Sequence, residues 1–207
     1  MQPEFFDSIP IAIPQKAILN RLGFRKGVTA LKVPHEKELQ QRIDEASTLL
    51  DLKGVALRLA IKEKEASRVT LEQGTVFESS LFASLCKDCD EVLFMGVTAG
   101  SRIIERIDQE QKRDLTASVI YDAVASEMTD ACFDWIQEYF MRTLVRENKQ
   151  HTARRISVGF GDFSLSYQKV FFELLNLKRL GITLTQKYML VPEKSATAVN
   201  GIMKAHT

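Results

Sequence analysis

Three residues separate Arg155 from the run Gly159-Phe160-Gly161-Asp162, within RRISVGFGDFSLSYQK at 154–169. These residue types, so spaced, can do one kind of chemistry. The arginine offers a planar fork that matches a carboxylate. Gly159 and Gly161 permit positive φ and close approach of a ligand to bare backbone, whose N–H groups could hold a carboxylate or hydroxyls. Phe160 offers a flat face to a base or to a cationic centre. Ser157 and Gly161 flank the group. The same run also reads as an ordinary surface turn, since Gly-x-Gly punctuates loops.

Other candidates are weaker. Cys86-Lys87-Asp88-Cys89 is a C-x-x-C, but no second ligand pair stands at zinc-site spacing, and the motif precedes a strand instead of opening a helix after one. It is read as structural, with a thiol redox protein the least favoured use. His35 and His151 stand alone and His206 is near the last residue, so no Ser/His/Asp arrangement can be assembled. Cys132 lies on an apolar helical stripe and is read as core. Val97-Thr98-Ala99-Gly100-Ser101-Arg102 resembles a phosphate loop but lacks both glycine fingerprints. It is read as a strand-to-helix turn with Ser101 as the helix cap. Acidic residues spread along helical faces read as solvation. Too few cations accompany the Arg155 loop for a polyphosphate. The set suits an amino-acid nucleotide such as S-adenosylmethionine better.

The 207 residues carry 28 Lys+Arg against 27 Asp+Glu, a net charge of +1 with neutral histidines. That balance gives no broad basic surface for nucleic acid. No run reaches the roughly 18 apolar residues of a membrane span. The first residues, MQPEFFDSIPIAIPQK, lack a basic start and are broken by Pro10 and Pro14, so no signal peptide is read. Three cysteines make no disulfide framework, which suggests a cytoplasmic protein with reduced thiols.

Elements follow from period. Gln15–Leu22 and Glu36–Leu52 are helical, the first ended by Gly23. Val55, Leu57, Leu59 and Ile61 alternate with Ala56, Arg58, Ala60 and Lys62, which predicts a half-buried strand over 54–64, antiparallel to 68–73. Glu91–Val97 reads as a central strand. Leu115–Phe140 reads as a long helix with the stripe Met128, Ala131, Cys132, Trp135, Ile136 and Tyr139. Arg142–Thr152 reads as a solvated connection. Tyr167–Arg179 is helical up to Gly181, Ile182–Val191 is a strand candidate, and 196–203 is a last strand. No linker or repeat divides the chain. Helices and strands mix without strict alternation, which predicts a single α+β domain over 1–207.

Set in order, these pieces resemble a known family. Arg155 to Asp162 resembles the R-x-S-P-G-Y-G-D loop of the activation domain of cobalamin-dependent methionine synthase. LGITLTQKYMLVPEKSATAVNGI, residues 180–202, resembles the G-I-x-L-T-x-S-x-M-M-x-P-x-K-S-x-S-A-I-x-G-I segment of that family. CDEVLFMGVTAG, AVASEMTDACFDWIQ and ILNRLGFRKG resemble its strand and turn, its long helix and its opening helix. The similarity spans nearly the whole chain.

The resemblance implies a C-shaped α+β unit with a mixed or antiparallel sheet, here in free-standing form. It implies S-adenosylmethionine in a shallow groove, its methyl group presented to cobalamin carried by a methionine synthase module or another corrinoid protein. One electron from a donor such as a flavoprotein completes the repair, and no catalytic residue is asked of the chain. Arg155 matches the arginine that meets the ligand carboxylate, and Gly159-Phe160 the Gly-Tyr beside the ligand. Tyr188 matches the aromatic of the second segment. Glu147 stands, at longer spacing, where a carboxylate near the methionine amino group is implied. Phe160 lacks the family hydroxyl, Val158 replaces the loop proline and Ala99 replaces a leucine. These departures leave a second possibility, a scaffold that keeps the fold without the ligand.

Overall fold

The computed structural model describes residues 2–24 and 33–205. His206 and the end of the opening-helix match lie outside the described residues. The centre is an antiparallel sheet. Its strands are β1 (Glu4–Phe6), β2 (Lys53–Glu65), β3 (Arg68–Leu71), β4 (Val76–Glu78), β5 (Glu91–Thr98), β6 (Lys149–Ile156) and β9 (Ser195–Lys204), in the order β4-β3-β2-β5-β9-β6 with β1 also on β2. A separate two-stranded ribbon joins β7 (Thr183–Leu184) to β8 (Leu190–Val191). The helices are α1 (Gln15–Arg21), α2 (Val33–Thr48), α3 (Ser80–Leu85), α4 (Arg102–Gln111), α5 (Leu115–Arg146) and α6 (Gln168–Leu174). Antiparallel strands with helices on both faces make this an α+β fold.

The period-2 rule sorts the side chains of β5 between two cores. Val92 and Phe94 face a core built on Phe77, Phe82, Phe163 and Phe171. Leu93, Met95 and Val97 face a second core with Cys132, Phe133 and Ile136 of α5. The first half of α5 leaves the sheet and packs Tyr121 and Val124 against Ile18, Ile43 and Ile103 of α1, α2 and α4. At about 1.5 Å per residue, the 32 residues of α5 are long enough to serve both layers. Asp114 caps this helix, its carboxylate accepting from the Ala117 amide at 3.1 Å. None of the helices among the described residues is long and apolar enough to cross a membrane.

Most predicted elements are present, with instructive differences. β2 is covered on both faces in its first half, because α5 packs over Ala56 while the phenylalanine core holds Val55 and Leu57. Its second half runs on with β3 from the pair Glu65–Arg68. The region read as a solvated connection is the end of α5, a turn at Asn148 (φ 55) and the edge strand β6. Its polar side chains find partners on the sheet, which composition alone did not reveal. The helix read over 167–179 breaks at Asn176 (φ 48), and the strand read over 182–191 is the β7–β8 hairpin. Ser101 makes no side-chain cap bond to α4. The turn is held instead by Thr98 Oγ1, which accepts from the Gly100 amide at 3.1 Å. A Cβ on Gly100 would lie 2.8 Å from Cβ of Asp51, so this turn is closed by packing and is no phosphate cradle.

The three cysteines are buried. Burial pushes the Cys89 thiol up to about 11 and Cys132 to about 12, and raises Cys86 as well. Thiols so protonated are poor nucleophiles, which supports the structural reading. A Cβ on Gly201 would stand 2.3 Å from Sγ of Cys89, so the glycine of the 180–202 segment makes room for that sulfur.

Candidate ligand-binding site

Arg155 lies near the end of the edge strand β6, opposite Asn200 of β9. The ladder is irregular between His151 and Arg155. Asn200 fills the irregularity, its Nδ2 donating to the carbonyls of Thr152 at 3.4 Å and Arg154 at 3.1 Å. Such a bulge re-aims the side chains beyond it. Arg155 is aimed at α5. Its Nη1 donates to the Asp134 carboxylate and, at 2.8 Å, to Oε1 of Gln137. Its Nη2 donates to Asp130 Oδ1 at 2.8 Å, and the guanidinium lies 5.3 Å from the Phe133 ring centroid. Asp130, Asp134 and Gln137 stand at i, i+4 and i+7, one face of the helix. Burial works against the Arg155 charge, but the two carboxylates outweigh it and its pKa is raised. Arg154, its neighbour, is exposed.

After β6 the chain crosses the end of the sheet. Ser157 is half-buried and Val158 buried. Gly159 (φ 88) donates its amide to the Phe163 carbonyl at 2.6 Å, and the Phe163 amide donates to the Phe160 carbonyl at 2.9 Å. Gly161 has φ 56, so both glycines occupy backbone that an L side chain resists. Phe163 is wholly buried and stacks on Phe82, centroids 5.1 Å apart. Asp162 accepts from Ser79 Oγ at 2.7 Å and from the amides of Ser80 and Leu81 at 2.6 and 3.1 Å, at the start of α3. Those bonds, led by the Ser79 hydroxyl, lower its carboxyl to about 2. Asp162 also lines a polar cleft of about 440 Å³ with Arg68 and Glu78. The glycines thus serve a turn fastened at Asp162 and Phe163. Ahead of these two fastenings the turn throws Phe160 outward, 67% exposed.

The structure brings Arg155, Ser157, Gly159, Phe160 and Gly161 together as one strand-end and turn. Tyr188 sits at the tip of the β7–β8 hairpin, 38% exposed with φ 61, held by its amide to the Thr185 carbonyl at 3.0 Å. Glu147 is not brought to the turn. It follows α5, at the opposite end of β6. Arg58 donates to it at 2.9 and 2.5 Å, and Lys149 lies 3.3 Å away. Arg58 holds this carboxyl down at about 2. Glu91 completes the group, taking Arg58 Nε and Lys149 Nζ. Burial pushes the Glu91 carboxyl up, yet these bonds leave it lowered.

The segment 180–202 is tied to α5, β5 and α6 by its polar side chains. Lys194 reaches Asp122 at 2.6 Å and Ser126 at 3.0 Å on α5. Ser195 pairs with Thr98 at 2.8 Å, and Thr197 with the Gln168 side chain at 3.0 Å. The partners of Arg155 were missed in the sequence. An acid–acid–Gln series at i, i+4, i+7 was the available signal, and it looks the same on a solvated face.

A solved structure, the MetH reactivation domain bound to AdoHcy, matches with a TM-score of 0.67. The match covers 97% of this chain and 78% of that one. This chain has the fold of the MetH reactivation domain. Identity to the MetH domain is 13%, so the likeness is one of fold. No family model matches the sequence, and no curated protein does.

Proposed function

We propose that the chain is a reactivation-type module that binds S-adenosylmethionine at the Arg155–Gly161 corner and offers its methyl group to cobalamin carried by another protein or module. What supports this reading is that an arginine, a positive-φ turn and an outward aromatic ring follow one another within 155–161, on a fold of which one solved structure holds AdoHcy. Arg155 takes the ligand carboxylate, backbone at Gly159 and Gly161 allows close approach, and Phe160 covers the base or the sulfonium. Ser157 flanks the ligand, and Tyr188 supplies a second aromatic surface. Glu147, held by Arg58 and Lys149, has no part in it.

The outward Phe160 fits such a role. A ligand resting on so exposed a ring stays open to a second macromolecule. The corrinoid, bound elsewhere, supplies the nucleophilic cobalt. The residues of this chain bind and orient. His151 gives no base at the corner, since its Nε2 faces the Gln137 carbonyl at 3.1 Å and burial lowers its pKa. The partners are methionine synthase modules or another corrinoid protein and an electron donor such as a flavoprotein. The setting is the cytoplasm, with free thiols.

Spectroscopy tests this directly. Purified chain with S-adenosylmethionine alone should release no S-adenosylhomocysteine above background. Added cobalamin-loaded partner and a one-electron reductant should give methylcobalamin, seen in the corrin absorption spectrum. Steady methyl transfer to a small molecule without corrinoid would overturn the proposal. One observation favours a second reading, a scaffold without ligand: Asp130 and Asp134 already fill the Arg155 fork, and Asp162 and Phe163 account for the turn by themselves.

A further inference from the structure

We infer that Asp134 is a displaceable occupant of the Arg155 fork, a built-in competitor that a ligand carboxylate must replace. The inference rests on the reading of Arg155 as the carboxylate-binding residue. Arg155 is pinned: its side chain is only 23% exposed, it lies over Phe133, and Nη1 and Nη2 are both engaged. Its two carboxylate partners bring two negative charges against one positive. A third carboxylate would meet net repulsion until one of them leaves.

The two aspartates are not equivalent. Asp134 bonds only Nη1, which Gln137 also holds at 2.8 Å, so the guanidinium keeps its place when Asp134 goes. Asp130 is the side chain on Nη2, backed by its own carbonyl at 3.5 Å. The Asp134 side chain is 69% exposed, so it can turn into water with little desolvation to undo. An exposed ion pair is worth little, and a ligand carboxylate that keeps both its oxygens on the fork outcompetes it. Asp134 is therefore the group that yields, while Asp130 keeps the fork oriented.

Calorimetry on the full chain tests this with two probes, S-adenosylhomocysteine, which has a carboxylate, and 5′-methylthioadenosine, which has none. Asp134→Ala should tighten S-adenosylhomocysteine about two- to fivefold, the worth of an exposed pair. It should leave 5′-methylthioadenosine unchanged. Asp130→Ala should not tighten either probe, and Asp134→Asn, which keeps a hydrogen-bonding group in place, should fall between Asp134→Ala and wild type. Binding by Asp134→Ala where wild type gives no heat would uphold the inference outright. Equal or weaker binding by Asp134→Ala, with wild type still binding, would overturn it and leave the ligand reading standing. Absence of binding to every form, including Asp134→Ala, would remove both.

Discussion

Near each end of β6 an arginine is gripped by two carboxylates, Arg58 from β2 at the start and Arg155 of β6 itself at the far end, and the two groups are built to different purposes. At the start of the strand, Arg58 and Lys149 face Glu91 and Glu147, two charges of each sign. Their side chains are 15, 23, 17 and 34% exposed. At the far end Arg155 alone faces Asp130 and Asp134, 61 and 69% exposed, and one negative charge is left over. The first group is balanced, half-buried and closed. It ties the end of α5 to β2, β5 and β6. The second has its cation anchored and its anions in water. A closed network spends its hydrogen bonds on architecture, whereas an anchored cation with loosely held anions can exchange partners. The contrast supports the proposal of ligand chemistry at the Arg155 end and explains why Glu147, for all its proximity in sequence, belongs to the frame.

The largest expected effect falls on the fastening of the turn. Phe163→Ala empties a wholly buried ring site against Phe77, Phe82 and Phe171. It should cost about 3–5 kcal/mol in chemical denaturation. A loss under about 1 kcal/mol would mean the turn is not anchored there. Next, Arg58→Ala leaves Glu91, 17% exposed, facing only Lys149. It should cost about 2–3 kcal/mol of stability, while ligand binding stays at the wild-type level. If binding falls with it, the two ends of β6 are coupled and the contrast between them fails.

A smaller effect tests the fastening of the turn by pH. The Asp162 carboxyl is lowered to about 2 in the folded chain, below the roughly 3.9 of an unfolded aspartate. Its contribution is therefore fully present above about pH 4 and is lost as pH falls through about 2. Asp162→Asn should unfold more easily than wild type at pH 7, with the gap between their thermal midpoints closing from about pH 4 downward. A gap independent of pH would show that the carboxylate charge is irrelevant to the turn.

How much of this was readable beforehand depended on the range of the interaction. Val55, Leu57 and Leu59 alternate, and Met128, Cys132 and Ile136 repeat at helical spacing, so β2 and α5 announced themselves through local period. Gly159 and Gly161 announced a positive-φ turn. The grip on Arg155 did not show, because Asp130 and Asp134 lie 25 and 21 residues away on a helix, where exposed acids look alike whether they face water or an arginine. Asp162 resembled any turn aspartate, since its partners at 79–81 come from another part of the chain. β6 was hidden for a related reason: an edge strand with charged side chains satisfied by neighbouring strands carries no apolar alternation.

The central claim is that Arg155 is a ligand-binding residue held ready by the fold. Calorimetric titration of S-adenosylmethionine into wild type, Arg155→Ala and Arg154→Ala measures it most directly. The account predicts saturable heat for wild type, a loss of about 2 kcal/mol or more in Arg155→Ala because a charge-assisted pair has lost its cation, and little change in the exposed Arg154→Ala. Equal affinities for wild type and Arg155→Ala, with both proteins folded, would contradict it.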